Sequence, residues 1–248
     1  MTLHASTTHR GPTPWNRTLL RSRLFDALSL LLPAGETFFV ATLEQWLAQP
    51  GDVPDARLRA ELGRFIREER AHQRAHDRYN AALIARTPAA SAAALRAARA
   101  ADQLAGWSLP SKMALVAAFE HLTTVLSREI LERPYLMVDD ASLQSLTWRW
   151  HAREELDHSH IAMEAAAQYG IGRARLVLAL VLATGYLAFD VLQCTRALCR
   201  CDVAAGASRW KLLADACSFA IGGLPSLARM ALRWWDIVMP ARVSSRAT

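Results

Sequence analysis

The spacing Glu-x-x-His occurs twice in this chain, at Glu69-Arg70-Ala71-His72 and at Glu155-Leu156-Asp157-His158. Each copy is preceded, on a separate apolar segment, by an isolated glutamate, Glu36 and Glu120. Residues three apart share one face of an α-helix, so each pair aims a carboxylate and an imidazole at one target. Glu36 and Glu69 are 33 residues apart, and Glu120 and Glu155 are 35 apart. Each gap fits an antiparallel helix pair with a short turn. The 51 residues from Glu69 to Glu120 fit a long crossover. The spacings therefore predict four helices gathered around one polar centre.

Composition agrees with helices. Ala and Leu dominate, Arg far outnumbers Lys, and long β-branched runs are scarce,. At 248 residues the chain can bury a large core,. The net charge of +6 and pI of about 9.6 suit solubility and attraction to anionic surfaces,. The basic residues are scattered and not interleaved with aromatics, which argues against a nucleic-acid groove. The cysteines, Cys194, Cys199, Cys201 and Cys217, form no C-x-x-C pair, so a structural zinc site is not expected,. The polar start lacks the apolar stretch of a signal peptide, and a reducing cytoplasm is the expected compartment, with membrane association as a variant.

The chain divides into three expected parts. Residues 1–17 read as a disordered N-terminus, 18–170 as the di-metal bundle, and 171–248 as C-terminal helices packed on it or associated with a membrane. Within the bundle, Pro33 reads as the first turn of a helix reaching about Gln49, with Glu36 in its opening turns. Asp52 is the expected N-cap of a second helix reaching about Ala85. Residues 87–107 suit a helical crossover. Ser108-Leu109-Pro110 opens a third helix to about Leu131, and Asp140 is the expected cap of a fourth that Gly170 ends. The apolar run from Leu176 to Thr195, broken only by Asp190, reads as a buried helix covering the bundle. A charge there would be costly in mid-membrane. The last segment, with Arg229, Arg233, Trp234 and Trp235, suits packing on the core or lying on an anionic membrane.

A lone glutamate on a helix is ordinarily solvated. Glu36, however, sits among Leu31, Leu32, Phe38 and Phe39, and Glu120 follows Ala117-Ala118-Phe119. Carboxylates in such settings are costly unless paired or metal-bound. The ordered set makes Glu36, Glu69, His72, Glu120, Glu155 and His158 the expected ligands of two metal ions. Glu69 and Glu155 are the expected bridges. Divalent iron is the first expectation, and Mn or Zn also suits mixed carboxylate and imidazole donors. His151, one turn before Glu155, and His76, one turn after His72, are candidates for a further ligand or for supporting positions. Glu68 and Glu154 lie one position off the ligand face and read as solvated or supporting. Ligating histidines need a partner on the second ring nitrogen, for which Asp77 and Asp157 are candidates. His121 and His160 have weaker claims.

Four segments resemble, in order, the bacterial family described as predicted metal-dependent hydrolases, a group of ferritin-like proteins. They are Pro33-Ala34-Gly35-Glu36-Thr37-Phe38-Phe39, Phe65 to His72 with His76 and Asn80, Phe119-Glu120-His121-Leu122-Thr123, and Trp150 to His158. The resemblance covers roughly residues 25–200. It implies an all-α fold, a ferritin-like four-helix bundle with additional C-terminal helices. The stripe His151-x3-Glu155-x2-His158 also resembles di-iron arylamine N-oxygenases, which add a third histidine to the usual ligands.

The first functional expectation is a di-iron oxidoreductase using O₂ on a small apolar or aromatic substrate, with room for an external electron donor. The alternative is a di-metal hydrolase in which the metals activate water. A third expectation is a non-enzymatic helical metal-binding protein. A homodimer and peripheral membrane contact through the C-terminal helices are both compatible with the chain.

Overall fold

The computed structural model describes residues 12–50, 54–138, 140–158 and 160–237, except the side chain of Asp157. Among them all regular secondary structure is helical: α1 (Leu19–Leu47), α2 (Ala56–Arg86), α3 (Ser91–Ala105), α4 (Leu109–Glu132), α5 (Leu143–His158), α6 (Ile161–Gln168), α7 (Arg173–Ala204) and α8 (Arg209–Trp234). Short 3₁₀ turns precede α3 and follow α8.

Two apolar clusters fill the bundle, and a polar band separates them. One holds Phe38, Leu43, Trp46, Leu58, Phe65, Met113 and Ile161. The other holds Phe25, Leu30, Tyr79, Leu83, Ile130 and Trp148. The order in which each helix crosses these clusters gives the topology. Helix α1 runs from the second cluster to the first, while α2 and α4 run the opposite way. The α5–α6 segment runs in the direction of α1. Helix α3 returns the chain along the bundle between the parallel α2 and α4, packing on α1. It is the crossover expected from residues 87–107.

Helix α1 departs from expectation. The helix does not open at Pro33; it runs unbroken from Leu19, with Pro33 inside and Glu36 in mid-helix. Proline lacks the N–H that would bond the carbonyl four residues back, here Ser29. The Asn80 side-chain amide fills that role, donating to the Ser29 carbonyl oxygen at 2.8 Å. The Ser29 hydroxyl in turn donates to Asn80 Oδ1 at 2.8 Å and lies 2.8 Å from His76 Nδ1. A buried network on α2 thus compensates the proline in α1.

Caps set the other boundaries. Asp52 lies outside the described residues; Asp55 caps α2, accepting from the Leu58 N–H at 2.8 Å. Asp140 is not the cap of α5: the Ser142 hydroxyl takes the Ser145 N–H at 3.2 Å, and Asp140 braces Ser142. The expected fourth helix is two helices, α5 ending at His158 and α6 starting at Ile161. Gly170, at φ 80°, then terminates α6. There the N–H of Ile171 reaches the Ala166 carbonyl, the bond of a Schellman stop,. Before α1, Trp15 and Asn16 pack against the bundle. Asn16 is buried and bonds the Leu136 carbonyl at 3.0 Å, and Trp15 donates to Asp26.

The C-terminal helices cover the bundle without being fully buried. Helix α7 packs on α1 and α4 through Leu176, Leu180, Ala183, Val191, Cys194 and Leu198. Asp190, expected to be costly, is buried with its carboxylate 3.3 Å from Arg96 of α3. Asp202 takes a two-pronged bond from Arg23 of α1 at 2.6 and 2.7 Å. The outer side of α7 stays exposed. Both α1 and α7 are long and apolar enough to cross a membrane by length and composition. Only 28% of the most apolar stretch of α7 is buried, against 56% for α1. Arg229 and Arg233 are not free to meet lipid; they bond Glu129 and Glu132 of α4 and fasten α8.

Replacing Asn80 by Ala leaves the Ser29 carbonyl buried without its donor. The expected cost is about 1–3 kcal/mol, the penalty of one unsatisfied buried polar group. Urea denaturation of N80A against wild type measures it.

Candidate metal centre

The polar band lies at mid-helix on α1, α2 and α4 and in the C-terminal half of α5. Glu36 comes from α1, Glu69, His72 and His76 from α2, Glu120 from α4, and His151, Glu155 and His158 from α5, and all are buried. Glu69, His72, Glu155 and His158 each place one donor atom within 4.8 Å of the others. Glu36, His72 and His151 form a second such group, sharing His72. Glu120 belongs to neither group. It is buried close enough to Glu155, Glu69 and Glu36 for their charges to act on it.

Within the first group, Glu69 Oε1 lies 3.1 Å from His158 Nδ1 and 3.4 Å from His72 Nδ1. Glu155 Oε1 lies 3.5 Å from His72 Nδ1 and 3.3 Å from His151 Nε2. The other Glu155 oxygen accepts the Thr123 hydroxyl at 2.7 Å, which fixes that carboxylate. His151 Nδ1 is 4.0 Å from Glu36 Oε1.

Both carboxylate oxygens of Glu36, Glu69 and Glu120 are buried without a hydrogen-bond partner, as are Nδ1 of His72, His151 and His158. Native interiors rarely leave so many polar atoms unpaired, because each costs about 1–3 kcal/mol or more. Inward-facing carboxylate oxygens and imidazole lone pairs are the donor set of a divalent metal site, so the residues fit a bound metal.

The outward ring nitrogens have partners that cross between the halves. His72 Nε2, from the first motif, lies 2.9 Å from Glu154 Oε2 of the second. His158 Nε2, from the second, lies 2.8 Å from Glu68 Oε2 of the first. Trp150 Nε1 steadies Glu154 at 2.9 Å. With the proton on Nε2, each ring donates outward and keeps the Nδ1 lone pair aimed inward. The partners are therefore not Asp77, which is exposed; the Asp157 side chain lies outside the described residues. The signal was present in sequence, because both motifs read Glu-Glu-x-x-His.

The remaining histidines separate clearly. His76 reaches the band, its ring 4.9 Å from that of His151; its Nδ1 pairs with Ser29 and its Nε2 is buried without a partner, but it belongs to neither close donor group. His121 bonds the Arg233 carbonyl away from the centre, and His160 is exposed.

Crowding sets the protonation of the metal-free site. Burial, reinforced by neighbouring carboxylates, raises Glu36 and Glu120 well above the usual carboxylate range. Burial and Glu69 push Glu155 up to about 7. Burial works against the charged form of His158, but its contacts with Glu69 and Glu155 outweigh this and push it up to about 9. Burial would raise Glu69 too, yet His158 and His72 hold it below its ordinary value. Burial lowers His76 to about 3 and His151 well below the ordinary histidine value, so both rings are neutral.

A four-helix core with a central cluster of buried Glu and His defines a helical metal-binding protein. The chain belongs to the family described as predicted metal-dependent hydrolase, whose model matches residues 3–241. No curated protein and no solved structure matches it in the same comparisons.

Removing either crossing carboxylate, by Glu68→Ala or Glu154→Ala, frees one imidazole to rotate. Metal affinity should fall about 10–100-fold, the usual effect of losing a ligand's outer partner. Competition with a chelator reads this directly.

A pH dependence follows for the metal-free protein. The folded-state pKa of His158 is raised from 6.5 to about 9, so its stabilising contribution is full below pH 6.5 and lost as pH rises through 9,. The raised carboxyls act in the same direction, while the depressed His76 and His151 lose stability only as pH falls below their ordinary value. Thermal melts of metal-free protein should therefore drop between pH 7 and 9. Metal-loaded protein, with these protons displaced, should not show that drop.

Proposed function

We propose that this protein is a two-metal hydrolase acting on an apolar ester or amide, built on a ferritin-like bundle. The observation that carries the proposal is the position of the buried Glu and His donors on the wall of an apolar cavity of about 690 Å³, where Glu36, Glu69, His151 and Glu155 face the space. The family's description supports the same class of reaction. Bound there, the metals would act as Lewis acids and lower the pKa of water. Fe, Mn and Zn all suit the donors.

The chain's own residues do the rest. Glu69 stands between His72 and His158, and Glu155 between His72 and His151, so these two carboxylates would be shared by the metals. Glu36 and His151, beside His72, would hold a second ion, and the four carboxylates would together offset two divalent charges. Thr123 holds the free edge of Glu155 in one orientation. Leu31, Phe39, Leu126, Leu187 and Trp234 line the cavity, exclude bulk water and seat an apolar chain,.

A second reading, O₂-dependent oxidation of an apolar or aromatic substrate at two irons, is favoured by one observation. His151 stands among the donors as a third imidazole, 3.3 Å from Glu155 Oε1. The two readings separate in one experiment. Protein loaded with Zn or Mn should hydrolyse medium-chain acyl esters or amides without oxygen. E69Q/E155Q should abolish turnover while leaving the helical circular dichroism intact. Turnover seen only with Fe(II) and O₂ would establish the oxidase instead. A double variant that loses its fold, in a protein inactive under both conditions, would mark the metal as structural.

A further inference from the structure

The outer face of α7 is an uninterrupted apolar stripe. Leu178, Leu182, Gly185, Phe189 and Leu192 follow each other at helical spacing, and all are exposed,. The stripe is about 21 Å long at 1.5 Å per residue. Arg175 and Arg196 continue the same line at its two ends, Arg200 lies one turn beyond Arg196, and Arg173 opens the helix on another face, all exposed. None of the four has an ion-pair partner among the described residues. No Asp or Glu is exposed on α7 or α8: Asp190 and Asp202 are buried, and Asp215 is half-buried. Exposed acids beside them are Asp236, just after α8, and Glu132 of α4, which is paired with Arg233.

The cavity opens on this side. Of the residues lining it, the exposed ones are Ala188 of α7, Leu227 and Ala231 of α8, and Trp235 just beyond. The most exposed residues of the lining therefore come from the C-terminal helices, while Ala34 and Gly35 of α1 and Ala100 and Ala101 of α3 are partly exposed. The mouth lies between α7 and α8, beside Phe189 and Leu224, both more than half exposed.

We propose that the exposed faces of α7 and α8 seat the protein on an anionic lipid bilayer, with the cavity mouth turned to the acyl chains. The site would then draw a membrane-partitioned substrate, such as an acyl ester or amide, directly from the lipid. This substrate class rests on the hydrolase reading above; the docking does not. Charge selects the occupant. Arginines frame an apolar strip and no exposed acid offsets them, the pattern of a helix lying in an anionic interface. A second copy would set arginine against arginine, since neither face supplies a carboxylate. The helix lies on the membrane without crossing it. Arg23 holds Asp202, Arg96 holds Asp190, and the inner face of α7 is packed on the bundle.

Vesicle flotation of the full chain tests the docking without reference to turnover. Vesicles containing phosphatidylglycerol should carry the protein, and pure phosphatidylcholine vesicles should carry far less. Added salt should weaken the binding. The variant L182E/F189E changes only exposed positions, and should lower flotation at least tenfold while keeping the helical signal and metal stoichiometry. Absence of flotation, or flotation unchanged in the variant, overturns the proposal. So does a solution dimer that the variant converts to monomer, which would make the face a self-interface. A bound but inactive protein would count against the hydrolase reading alone, and an active but unbound one against docking alone.

Discussion

Burial of four carboxylates at the middle of a helical bundle is the constraint on which the rest depends. Glu36, Glu69, Glu120 and Glu155 are each no more than 2% exposed. In water each would be ionised; together in an apolar interior they repel and lose hydration, so without metal several keep their protons. This cost fixes where everything else sits. The apolar core splits into two clusters above and below the band, and α1, α2, α4 and the α5–α6 segment each cross from one cluster to the other through a polar position. A hydrophobic pair such as Met and Leu at these positions would make a more stable bundle with nothing to bind. The retained polarity is best explained by a cation that satisfies it.

The second requirement is precision of the donors, met by locking the two halves to each other. Glu154 holds His72 and Glu68 holds His158, so each motif orients the imidazole of the other. Shearing α2 along α5 would break both contacts at once. Pro33 contributes on the first helix. Removing one backbone hydrogen bond three residues before Glu36 leaves the Ser29 carbonyl open to Asn80, which ties α1 to α2 close to the centre. The same network holds His76 by its Nδ1 beside the donor cluster.

Much of this was legible in the sequence because spacing maps directly onto a helix face. The two Glu-x-x-His motifs, their upstream glutamates and the crossover length all follow from a period of 3.6 residues. What escaped depends on contacts between distant segments. Pro33 reads as a helix start by local rules, and only Asn80, 51 residues from Ser29, makes it tolerable mid-helix. Asp77 and Asp157 were plausible partners by proximity in sequence, whereas the partners lie 82 and 90 residues away. The doubled Glu-Glu was visible, but periodicity counts Glu68 and Glu154 as off-face. They reach the site because the opposing helix brings the ring to them. Glu120 shows the limit from the other side: its burial was foreseen from its neighbours, yet it stands outside both close donor groups.

The C-terminal third connects the centre to the outside. A bare four-helix bundle would bury its metal site or open it to water. Here α7 and α8 pack on α1 and α4 and leave a cavity between them, and ion pairs fix the cover at Arg23–Asp202, Arg96–Asp190 and Arg229–Glu129. Those pairs use up the acidic residues of α7 by turning them inward. The outer surface is then left with arginines at the ends of α7 and apolar side chains between them. An amphipathic cover built this way has no reason to present Leu182 and Phe189 to water, since either could be polar without disturbing the inner face. Their exposure follows naturally if the outer face, like the inner one, meets an apolar phase. The route from that phase to the metal site is then apolar throughout, ending only at the carboxylates that define the fold.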